Sequence, residues 1–162
     1  GYDGSSYVAS NESWNGTSWT EVGDLNDGRT ALQGSGIATA ALVAGGESPG
    51  IVGKTETWDG SSWTEVNDLN QARYTAGMSG NALNTDTLLF GGFVPPSTAN
   101  TEAFDGTSWT ELANMANARY TATGSGIGSG ALASGSDNNG NAATTSEEWT
   151  VASFQVKTLT TS

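Results

Sequence analysis

Cysteine and histidine are both absent from this chain of 162 residues. Their absence excludes thiol nucleophiles, disulfides, imidazole bases and Ser-His-Asp triads, together with the usual zinc, copper and haem ligand sets. Basic residues are nearly as scarce. Five Lys and Arg stand against 17 Asp and Glu, for a net charge of -12. Nucleic-acid binding needs clustered Lys and Arg, and an anionic membrane surface needs the same, so neither partner is expected. Long apolar runs are lacking too. The longest, Ile37 to Ala44, is broken by Thr39, and a spanning helix needs roughly 20 residues, so no membrane insertion is expected. No stretch keeps helical periodicity over three turns.

Glycine and tryptophan are plentiful, with 23 and 6 copies, and they are ordered by a repeat. Trp14-Asn15-Gly16-Thr17-Ser18-Trp19-Thr20-Glu21 returns as Trp58 to Glu65 and as Phe104 to Glu111, and a decayed copy starts at Trp149. The first aromatic recurs at intervals of 44, 46 and 45 residues. Arg29, Arg73 and Arg119 each follow it by 15, and Glu12, Glu56, Glu102 and Glu147 precede it by two. An apolar strand ending in Gly45-Gly46, Gly91-Gly92 or Gly135-Ser136 completes the unit.

Each unit reads as four short strands. Asn15-Gly16, Asp59-Gly60 and Asp105-Gly106 predict tight hairpins whose two central residues both take φ > 0. Thr30–Ile37, Tyr74–Ala82 and Tyr120–Ile127 are rich in small residues and predict strands where neighbouring sheets converge. Repeated four-stranded units of 40 to 50 residues point to a β-propeller.

The Gly-Gly strand end, the aromatic about 12 residues on, the Trp five further and the Arg resemble the kelch repeat, and the resemblance covers the whole chain. Gly1-Tyr2-Asp3-Gly4 looks like the end of a kelch Gly-Gly-Tyr-Asp-Gly turn. Trp14, Trp58 and Trp149 depart from the usual Tyr, and Ser136 from the usual Gly. The repeat wording also resembles fibre-like proteins of marine phages and bacteria. The resemblance implies an all-β, kelch-like propeller segment of four-stranded antiparallel blades, about three and a half in number. In that register residues 1–25 are the outer half of a blade, and 29–69, 73–115 and 119–162 are full blades of one domain. Residue 1 falls inside a blade, and the strand from Gln155 to Thr161 replaces the usual link to a next one. The expectation is the C-terminal part of a longer chain, with an association of fragments or an open, stacked array as the alternatives.

Residues recurring in every unit are expected to serve the unit. Arg29, Arg73 and Arg119 should bond Glu or backbone, with Glu12, Glu56, Glu102 and Glu147 as the acid set. Trp19, Trp63, Trp109 and Phe154 should pack between sheets, and so should Trp14, Trp58, Phe104 and Trp149. Asp59-Gly60-Ser61-Ser62-Trp63 superficially resembles the sialidase Asp-box but is one residue short, so that match fails. Asn11 and Asn15 head glycosylation sequons, and Asp59 and Asp105 replace Asn15 as turn residues. Asp137 to Asn141 could offer oxygens to calcium, but Ala142 breaks the EF-hand spacing.

Variation concentrates in the inner hairpin, long at Gly80 to Asp86, and in the loop after Gly-Gly: Tyr2–Ser10, Glu47–Lys54, Phe93–Asn100 and Asp137–Thr144. Loops on a rigid scaffold carry binding specificity. Tyr2, Tyr7, Glu47, Lys54, Phe93, Pro95, Asp137 and Asn139 are the candidate ligand-binding residues, and Phe93 and Pro95 are the best anchors. The expected function is a noncatalytic binding or adhesion module, extracellular or on a virion surface, recognising glycan or protein. Other copies, or an upstream part of the same protein, are further expected partners. The alternatives are a structural repeat protein of a fibre or capsid decoration, and a propeller glycosidase using two of Glu21, Asp24, Glu47 and Asp137. No catalytic residue, metal or cofactor is assigned.

Overall fold

The computed structural model describes residues 1–80, 85–135, 137–138, 141–142 and 144–151. The described residues contain no helix and form antiparallel sheets. Strands β1 (Asn11–Trp14) and β2 (Trp19–Val22) form a hairpin. β3 (Gln33–Ile37), β4 (Ala40–Ala44), β5 (Thr55–Trp58) and β6 (Trp63–Val66) form a four-stranded sheet in that order. β7 (Gly77–Ser79), β8 (Thr87–Phe90), β9 (Thr101–Phe104) and β10 (Trp109–Leu112) form a second sheet of the same order. β11 (Thr123–Ile127), β12 (Gly130–Ser134) and β15 (Ser146–Thr150) make a three-stranded sheet, with β13 (Asp137–Asn138) and β14 (Asn141–Ala142) paired in the loop between β12 and β15. None of these sheets is closed.

The register repeats from sheet to sheet. Trp14 pairs with Trp19, Trp58 with Trp63 and Phe104 with Trp109, their rings 5.0 to 5.4 Å apart. Leu42, Met78, Leu89, Phe104 and Trp109 form one core cluster, shared by the two four-stranded sheets. Leu88, Phe90, Ala122, Ala131 and Ala133 form the next, with Trp149 against it. Burying a Leu or Phe side chain stabilises by about 1.5–3 kcal/mol, so sheets with few aliphatic residues depend on these positions. The innermost strands are small because they nearly touch: a Cβ on Gly124 would stand 2.1 Å from the Met78 carbonyl oxygen.

Two local expectations are corrected. The aromatic hairpins are four-residue loops, not two-residue turns: the Trp58–Trp63 pair encloses Asp59 to Ser62. Only the glycine is left-handed, with φ 96, 98 and 100 at Gly16, Gly60 and Gly106. The preceding residue instead caps the turn. Asp59 Oδ1 accepts the N–H groups of Ser61 and Ser62, both at 2.8 Å, and these bonds with the Ser61 hydroxyl hold its carboxyl at about 2. The inner strands also start later than expected, because Ala31, Thr75 and Thr121 take φ of 54, 49 and 57. That kink turns the chain before β3, β7 and β11. Asn81 to Asn84, in the long inner hairpin, lie outside the described residues.

Candidate recognition surface

The frame beneath the variable loops is fixed from unit to unit. Each Arg pairs with the Glu of the aromatic strand that follows it. Arg29 Nη1 lies 2.5 Å from Glu56 Oε1, and Arg73 Nη2 lies 2.8 Å from Glu102 Oε1. Arg119 pairs with Glu147 in the same way. All three Arg are buried, as are Glu56 and Glu102. Burial pulls the Arg73 guanidinium below its ordinary value, against the pull of Glu102 and Glu111. The second carboxylate oxygen of Glu56 and of Glu102 accepts both N–H donors of Asn26 and of Asn70 respectively, at 2.7 and 2.8 Å. These bonds tie each link to the next sheet. Glu12 has no such Arg among the described residues and is exposed.

The Gly-Gly corner joins unit to unit. Gly46 donates to the Arg73 carbonyl at 3.0 Å, and Gly92 donates to the Arg119 carbonyl at 2.8 Å. Both members of each pair have positive φ, and a Cβ on Gly45 or Gly91 would stand 2.4 Å from those same carbonyl oxygens. Thr75 donates to Ala31 and Thr121 to Thr75, at 3.0 and 2.7 Å. Left-handed backbone in a residue other than glycine is costly and needs such fixing from outside.

From each corner springs a loop of constant frame. Tyr2 bridges Tyr7, Glu47 bridges Ile51, and Phe93 bridges Ser97. The carbonyls of Gly1, Gly46 and Gly92 accept the N–H groups of Val8, Val52 and Thr98 at 2.9, 3.0 and 3.0 Å. Tyr2, Glu47 and Phe93 therefore hold one repeat position, and Asp137, at the start of β13, holds it in the last unit. The tips differ: an Asp3-capped Ser turn, then Ser48-Pro49-Gly50, then Val94-Pro95-Pro96, whose Pro95–Pro96 peptide is cis. Pro95 and Pro96 are exposed. Asn139 and Phe154 lie outside the described residues.

Aromatic rings gather at these corners. Phe93 stands between Tyr74 and Tyr120, edge-on to both, with centroids 5.5 and 5.2 Å apart. Tyr2 and Tyr7 form a second pair at 5.4 Å. Partial burial, then the charge of Glu47, push the Tyr7 phenol above its ordinary value. Tyr74 and Tyr120 were not singled out by the sequence. The available signal was that both directly follow the repeated Arg, where the first unit has Thr30. Lys54 is not a free cation: it pairs with Asp27, and that bond raises its pKa. Trp109 and Trp58 are buried and Trp63 is half-buried, whereas Trp19, in the first hairpin, is 63% exposed.

Half-exposed rings can stack on a sugar face or an apolar side chain, or hold a cation. Glu21 lies on exposed β2, Asp24 in the following link and Glu47 in a loop, so three separate elements carry them. Among the described residues no three acids gather as a metal site. Compared with profiles of known protein families and with curated proteins, the chain matches none.

Proposed function

We propose that the chain is a noncatalytic recognition module in which the sheets are blades of a kelch-like propeller segment. It is presented outside a cell or on a virion and binds glycan or protein through the loops after the Gly-Gly corners. The single observation behind this reading is the contrast within those loops. Their hydrogen-bonded frame is the same in three units, while the residue at the common position changes from Tyr2 to Glu47 to Phe93. A scaffold constant in backbone and variable at its tips suits selection for binding. Phe93, with Tyr74 and Tyr120, is the anchor, and Pro95 lies at the exposed tip beside it.

The test is a glycan array together with binding to intact cells, run on the wild type and on Phe93→Ala. The expected result is binding that falls at least tenfold in the variant while its circular dichroism is retained. Equal binding by both proteins would refute the assignment of Phe93, and turnover of a sugar substrate would refute the noncatalytic reading.

A further inference from the structure

The bridges and corners set the variable positions in a continuous row. Within a unit, a bridge pairs the residue after the Arg with the residue after Gly-Gly: Thr30 with Glu47, and Tyr74 with Phe93. Between units, Gly46 donates to the Arg73 carbonyl and Gly92 to the Arg119 carbonyl. The backbone of Glu47 therefore stands to Tyr74 as that of Phe93 stands to Tyr120, and the last two touch through their rings. The order along the row is Thr30, Glu47, Tyr74, Phe93, Tyr120, all partly exposed. Glu47, Tyr74 and Phe93 belong to the two complete four-stranded sheets, each with a neighbouring unit before and after it. The row offers one carboxylate and three rings, and no cation offsets them. Arg29, Arg73 and Arg119 pair with Glu, and Lys54 pairs with Asp27, so among the described residues no Lys or Arg is left over. With a net charge of -12, the chain repels an acidic glycan. Nor do the rings form a flat sugar platform, since Phe93 is turned 68° from Tyr74 and 71° from Tyr120.

We infer that this row takes a cationic protein segment, an extended stretch in which an Arg or Lys stands near an apolar residue. The inference rests on the loops being the recognition surface and narrows what they bind. An aromatic face attracts a guanidinium or ammonium group, so the cation lies at Tyr74, on the side of Glu47. Edge-on rings leave a cleft that suits an apolar side chain, so the apolar residue lies at Phe93 and Tyr120. An extended segment sets side chains of one face about 7 Å apart. Two of them fit along a row whose ring centroids are spaced by 5.5 and 5.2 Å.

Fluorescence anisotropy of labelled peptides with the full chain tests this. One peptide repeats Gly-Arg-Gly-Leu, the second has Glu in place of each Arg, and the third has Ser in place of each Leu. The Arg-Leu peptide should bind and the Glu-Leu peptide should not, while Ser for Leu should weaken binding at least fivefold. Raising salt from about 0.1 M to about 1 M shortens the screening length from about 10 Å to about 3 Å, and should weaken the Arg-Leu complex at least fivefold. Glu47→Gln should weaken it at least fivefold and Phe93→Ala at least tenfold. Glu65→Gln, an exposed acid on β6 outside the row, should leave it unchanged. All three variants should keep the circular dichroism of the wild type. Equal weakening by Glu47→Gln and Glu65→Gln would mean attraction to net charge alone and overturns the inference. So does binding of the Glu-Leu peptide, or no binding of the Arg-Leu peptide. A glycan bound on the array and lost in Phe93→Ala, with no peptide bound, overturns the cationic segment but keeps the loops as the recognition surface. Unchanged binding of every probe by Phe93→Ala overturns both.

Discussion

At the residue scale, the buried Arg–Glu pairs carry the repeat. Arg73 and Glu102 are each 1% exposed, and a pair so buried gains little over an apolar substitute but is costly to break. Glu102→Ala should therefore lower the unfolding free energy by about 3–5 kcal/mol in urea titration, because the Arg73 charge is left uncompensated. Glu12→Ala, at the same repeat position but exposed, should change it by no more than about 0.5 kcal/mol. The constant interval from aromatic to Arg made a structural bond legible in the sequence. It did not disclose that each Arg reaches the Glu of the following aromatic strand, which strands Glu12 at the first hairpin. Trp19, in the same hairpin, is likewise exposed. Recurrence marks a position as packed, but the packing depends on a neighbour that the position itself does not supply.

At the scale of elements, turn chemistry was half legible. Asp-Gly located the hairpins. Its type was misjudged because the Asp carboxylate accepts two backbone N–H groups and so stabilises a four-residue loop. The inner strands were predicted too long because nothing in Ala31, Thr75 or Thr121 announces a left-handed residue. Their φ values follow from bonds to the neighbouring unit, which local preference does not contain. The Gly-Gly corner is the opposite case, since close approach and positive φ both demand glycine there. Gly91→Ala should destabilise by more than about 1–2 kcal/mol, the usual left-handed penalty. The added methyl also meets the Arg119 carbonyl. Gly50→Ala, with open space around it and no positive φ, should leave the urea midpoint nearly unchanged or slightly raised.

At the scale of the whole molecule, the all-β class, the meander order within sheets and the unit length were legible, because a 44 to 46 residue repeat constrains every unit at once. The recognition surface was legible only as loops that differ. Tyr74 joins Phe93 across a bridge within its own unit and Tyr120 joins it from the next, contacts between positions 19 and 27 residues apart that the spacing of the repeat does not disclose. The separation of frame from tip is testable by exchange. Glu47 to Ile51 and Phe93 to Ser97 enclose tips of equal length, and each tip closes with the same bond, Ser48 to Gly50 and Val94 to Pro96. The most direct measurement is the affinity, for the ligand found on the array or cell, of a chain in which Val94-Pro95-Pro96 is replaced by Ser-Pro-Gly. The predicted result is a wild-type unfolding curve with binding weakened at least tenfold. Unchanged binding by the exchanged chain would contradict recognition through these loops.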